Sequence, residues 1–129
     1  MRREDALGEY IGVSVDLDKR GLVWYPEIGD EVSERTNLER ISILVDPHGL
    51  TPTELRKSFV WLPTVEQLVE QFEARQAMIY HAGVNNTLAY EAVIRCAHGV
   101  IEASANTLRL AFGRALQELL HNSSSSAVH

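Results

Sequence analysis

Side chains able to do chemistry cluster in only three places along this chain. Asp46-Pro47-His48-Gly49 follows an apolar run, in the kind of loop where functional residues concentrate. The unperturbed pKa of a histidine lies near neutrality, so His48 is a candidate general base. No acid, nucleophile or second ligand stands at a spacing that would complete a catalytic set around it. Asp-Pro and Gly building a tight turn beside a solvated histidine is the plainer reading of the same residues.

Cys96 and His98 are neighbours in the text only. On a helix, a separation of two turns their side chains roughly 200° apart. Chelation from one helix needs a spacing of three or four, so no metal site is expected. Glu91, Arg95, His98 and Glu102 advance by four, three and four residues. On a helix they form a polar stripe with ion-pair spacing. A carboxylate–histidine pair is conceivable there, but a solvated face is the commoner use.

The aromatic residues Trp24, Tyr25, Trp61, Tyr80 and Tyr90 offer the largest apolar surfaces. Trp24, Trp61, Tyr80 and Tyr90, with His48, form the candidate ligand set, lining a pocket between sheet and helices. Filling a core or a subunit interface is the more frequent use of such residues. No phosphate-cradling glycine loop, nucleophile elbow or zinc signature occurs, so no cofactor is expected.

The whole chain narrows these options. It has 129 residues and a formal net charge of −6, from 18 acidic against 12 basic side chains. That length fits one domain and buries roughly two-thirds of the unfolded surface, enough for a core without staples. The acidic balance disfavours nucleic acid as a partner. A single cysteine, no apolar run behind the first arginines and no long apolar stretch point to a cytoplasmic chain without a signal peptide or membrane span.

Several elements are readable from pattern. Ile11, Val13, Val15 and Leu17 alternate with small or polar residues, which predicts a strand. Asp18 to Gly21 then supplies a turn, and residues 22–25 return as a second strand. Residues 27–37 read as an acidic surface loop, and 38–45 as a third strand. Thr51-Pro52-Thr53-Glu54 and Thr64-Val65-Glu66-Gln67 are capping boxes, each opening a helix, with a short strand at 59–62 between them. Residues 76–85 are ambiguous between helix continuation and a strand.

A helix from Asn86 to Ala103 follows, with Leu88, Ala92, Val93, Cys96, Val100 and Ile101 on its buried line. The last helix, 106–121, has the cleanest stripe: Leu108, Ala111, Phe112, Ala115, Leu116, Leu119 and Leu120. Residues 122–129, rich in serine, read as a disordered tail after a single domain of residues 1–121.

The run Phe59-Val60-Trp61-Leu62-Pro63-Thr64-Val65-Glu66-Gln67-Leu68 resembles a pattern in short, uncharacterised bacterial and phage-borne proteins. In those proteins a later helix opens with Thr and carries Ala and Leu at helical spacing. Thr107, Ala111, Ala115, Leu116 and Leu119 are similar to that second element. The resemblance covers about half the chain and implies an accessory gene on mobile DNA, with no activity to carry over. The helix read at 86–103 is an addition to that pattern.

These readings predict an α+β fold: an antiparallel sheet of three or four strands from the N-terminal half, covered by about three amphipathic helices from the C-terminal half. Three such helices offer more apolar face than one small sheet covers. The expected function is therefore that of a non-catalytic interaction protein, a homodimer that buries Leu108, Phe112, Leu116 and Leu119. The alternative is a small-molecule binding protein or minor enzyme built on the aromatic pocket.

Overall fold

The computed structural model describes residues 3–47 and 49–127. Ala6, Tyr10, Val13 and Leu17 recur at steps of four, three and four, and all are buried. That helical period governs the first segment, which forms α1 (Arg3–Lys19). The strand and hairpin expected over residues 11–25 are thus absent from the described residues. Ile11, Val13, Val15 and Leu17 do alternate, but the helical line runs through two more turns and meets a helical partner. Residues 22–25 keep a strand-like alternation, with Leu22 and Trp24 buried and Val23 and Tyr25 exposed, without pairing as a strand.

A first antiparallel sheet has strand order β2-β1-β3, built from β1 (Glu31–Glu34), β2 (Asn37–Ile43) and β3 (Phe59–Trp61). The stretch read as an acidic loop therefore contains the central strand. Ser33 faces both Ile41 and Val60, and Val32 faces both Ser42 and Trp61. Between β2 and β3 lies α2 (Pro52–Ser58), started by the capping box of Thr51 and Glu54. Leu55 of α2 joins Trp24, Val32 and Leu44 in a small core beneath this sheet.

The second capping box, of Thr64 and Gln67, starts α3 (Val65–Ala74). The ambiguous segment becomes β4 (Met78–Val84), and the helix expected at 86–103 is instead a hairpin of β5 (Tyr90–Cys96) and β6 (Gly99–Ala105). Asn85 accepts bonds from the amides of Thr87 and Ala89 and closes the β4–β5 turn. Gly99, at φ +124°, opens β6 straight after the two-residue turn Ala97-His98. The apolar residues do match a helical line, but Ala92 and Ile94 also alternate with Glu91, Val93 and Arg95, and pairing satisfies the alternation.

The second sheet, ordered β4-β5-β6, turns Ala92, Ile94 and Ile101 into the main core. Helix α4 (Leu108–Ala127) lies across it, capped by the Thr107 hydroxyl, which accepts from the Leu110 amide. It runs beyond His121 into the stretch read as a tail. The α+β class therefore holds, with four helices and two three-stranded antiparallel sheets among the described residues. They interleave along the chain rather than dividing into halves.

Candidate functional site

The expected ligand set does not converge. Trp24 is buried in the small core, and its Nε1 donates to Asp30 Oδ2 at 2.8 Å. Trp61 stands half-buried between the two cores. The space flanked by Trp24 and Trp61 is a void of about 10 Å³, the size of one water. Tyr80 and Tyr90 belong to the other sheet, where Tyr80 is exposed beneath the Arg95 guanidinium, 5.0 Å from its ring centre. His48 lies outside the described residues.

The helical stripe expected to seek a second subunit finds its cover inside one chain. Phe112, Leu116 and Leu119 are buried in the main core and Leu108 packs at its margin. The Phe72 and Phe112 rings meet at 5.9 Å. The second sheet and α1 supply the apolar surface that covers the stripe. A dimer held through those side chains would have to draw them out of their own core.

Exposed apolar surface gathers elsewhere. A groove of about 170 Å³ runs beside β2 and α2, lined by Ile43, Leu44, Val45, Leu50, Leu55 and Phe59 among others. Ile43 is 49 % exposed and Val45 72 %. β2 is an edge strand, and the geometry of its ladder settles which backbone groups are free. The Leu44 amide donates inward to the Asp30 carbonyl at 2.8 Å. Alternation then turns the amides of Ile41 and Ile43 to the open side. Glu39 and Arg40 place charge on the first half of the strand, a common guard against stray pairing. Ile41 to Val45 carry no charge, and Asp46 and Pro47 bound the groove at its far end.

A second depression, of about 180 Å³, lies between the 23–30 segment, β3 and α3. Tyr25, Trp61, Glu27, Asp30 and Glu70 line it, with Gln67 and Gln71. Its floor is rigid. The Asp30 carboxylate accepts from Trp24 Nε1, the Glu27 amide and Gln67 Nε2, all within 2.9 Å. The capping residue Gln67 thus ties α3 to the floor.

The groups with displaced pKa values serve the fold. Burial pushes the Tyr10 hydroxyl up to about 12, against the opposing pull of Arg109. Hydrogen bonds from Arg20 and Gln117 lower Asp16, and the capping bonds of Thr51 lower Glu54. Burial lowers Arg75. None of these four lines either depression. Among the described residues, no group of three or more His, Cys, Asp or Glu is placed to hold a metal ion. No helix among them is long and apolar enough to cross a membrane.

Comparison of the chain with protein-family models, with curated proteins and with solved structures finds no match. The groove along β2 is legible only in three dimensions. Its sequence signal is the unbroken apolar run Ile43-Leu44-Val45 directly before Asp46-Pro47, more apolar than a strand with one solvated face requires.

Proposed function

We propose that this chain is an interaction protein that receives an extended segment of a partner polypeptide along the open half of β2. The segment adds a strand to the sheet through the free backbone groups of Ile41 and Ile43, and sets apolar side chains into the adjoining groove. The observation carrying this reading is the adjacency itself: an uncharged stretch of strand edge beside an exposed apolar trough. Main-chain bonds supply affinity in such a mode, and the trough supplies selectivity for apolar residues at alternate positions.

The test is selection of linear nine-residue peptides from a displayed library on the full chain. Enriched peptides should alternate apolar residues, and in titrations should shift and protect the amides of Ile41 and Ile43. Ile43→Lys should weaken them at least tenfold. Peptides that bind the lysine variant equally well, or that perturb other amides, would overturn the reading.

A second reading, a small-ligand binding protein, is favoured by the cleft at Trp61, whose ring stands among three carboxylates while the Tyr25 ring beside it already carries the Arg56 guanidinium, 5.6 Å from its centre. That lining suits a small organic cation. Titration with tetramethylammonium, against potassium at equal ionic strength, should change tryptophan fluorescence in the native chain but not in Trp61→Phe. Identical responses to both cations would remove this reading.

A further inference from the structure

The outer face of the β4–β5–β6 sheet has a composition that its role as a core wall does not explain. Helices α3 and α4 cover the other face, where Ala92, Ile94 and Ile101 are buried. Residues directly opposite across an antiparallel ladder share a face. Met78, Arg95 and Val100 therefore form one cross-strand row on the outer face, and His81, Val93 and Glu102 the next. Glu91 belongs to a third row, opposite Ser104. Met78 is 54 % exposed and Val100 57 %. The His81 ring lies along this same face, 3.7 Å from where a Cβ on Gly83 would stand.

We propose that this face docks on the same face of a second copy of the chain, with the two sheets crossed at a steep angle. The partner is identified by charge complementarity. A two-fold axis lying in the interface over Val93 and Val100 exchanges the neighbours of Val93 on adjacent strands with its neighbours along β5. It sets Arg95 of each copy against Glu102 of the other, and His81 against Glu91. Val93 and Val100 then meet their own counterparts. Near-orthogonal crossing is one of the two standard ways for sheets to pack. The strand spacing of about 4.8 Å and the two-residue repeat of about 6.8 Å differ by less than these side chains can span.

This surface shares no residue with the β2 groove, so the proposal stands independently of the peptide reading. Its area sets its strength. Three strands of seven residues cover roughly 24 by 14 Å. That is well under the ~800 Å² per partner of a standard interface. The dimer is accordingly weak, with a dissociation constant on the order of 100 µM.

Sedimentation equilibrium of the full chain from micromolar to near-millimolar concentration tests this. The weight-average mass should rise toward twice the chain mass, and added salt should oppose the rise. Arg95→Glu and Glu102→Arg each create two like-charge contacts and should hold the chain monomeric. In an equimolar mixture of the two variants the mixed dimer has one native pair and one pair with its charges exchanged, and it should associate at least as well as the native chain. Both sites are exposed, and circular dichroism checks that each variant folds. Should either variant misfold, Val100→Asp replaces it and should also abolish the rise in mass. A native chain that stays monomeric throughout overturns the proposal. So does association that persists in the single variants, or a mixture of folded variants that remains monomeric.

Discussion

The guanidinium of Arg109 lies over the ring of Tyr10, its central carbon 4.5 Å from the ring centre, and both side chains donate to the carbonyl oxygen of Pro63. Arg109 also donates to the Leu62 carbonyl at 2.6 Å and pairs with Glu31 at 2.6 Å. One side chain from α4 thereby ties α1, the central strand of the first sheet and the junction of β3 with α3. These contacts join α1 and α4 to the first sheet.

Arg109→Ala leaves two carbonyls and a half-buried carboxylate without their charged donor. Hydrogen bonds of that class are worth about 1.5–3 kcal/mol each when one partner is removed, and sharing with Tyr10 and water softens the sum. The expected loss is about 2–3 kcal/mol in urea unfolding. Arg109→Lys should recover part of it, because a point charge cannot serve Glu31 and both carbonyls with the planar fork.

Tyr10 should give the chain an alkaline limit. Its proton is held more tightly in the folded state, at about 12, than at the ordinary value of 10.0. The contribution of the neutral hydroxyl is fully present below about pH 10 and is lost as pH rises through about 12. Across that window stability should fall by roughly 2–3 kcal/mol from this group. Comparing urea unfolding of the native chain with Tyr10→Phe from pH 9 upward isolates it: the variant should start less stable and decline less steeply.

Gly113 lies where α1 packs closely on α4. A Cβ there would stand 2.9 Å from Cε1 of Tyr10 and 3.1 Å from Cγ1 of Val13. Alanine would favour the helix by about 1 kcal/mol on an open face. Here overpacking, typically 1–3 kcal/mol, should exceed that gain. Gly113→Ala is expected to lower the thermal midpoint, and a raised midpoint would show that the two helices can separate at little cost.

Asp30 anchors the cleft floor. Asp30→Ala strands the buried indole N–H of Trp24, the Glu27 amide and the Gln67 amide group. A destabilisation of about 2–3 kcal/mol is expected, since an unmet buried donor carries its full desolvation penalty. Trp24 emission should shift as its hydrogen bond is lost. An unchanged spectrum together with unchanged stability would show that water replaces the carboxylate freely.

Wherever the signal was local, the sequence was sufficient. Both capping boxes form as their residues require, because Thr51 with Glu54 and Thr64 with Gln67 satisfy one another within one turn of chain. The stripe on α4 is read correctly as one face of a helix, since seven apolar positions fit no other period. The strands at 37–43 and 59–61 also stand close to where alternation and Pro63 put them.

Tertiary structure decided the segments whose pattern fits two periods at once. Residues 6–17 and 88–101 each carry apolar side chains compatible with either a helix or a strand, and local chemistry does not choose between them. The choice falls to the neighbour available. α1 meets the flat face that Gly113 opens on α4, whereas Ala92, Ile94 and Ile101 meet the same helix best as a sheet. From the sequence alone, the stripe on α4 posed a need for cover without naming what supplied it. Burial is a property of two surfaces at once, and only the folded chain brings the second one into place.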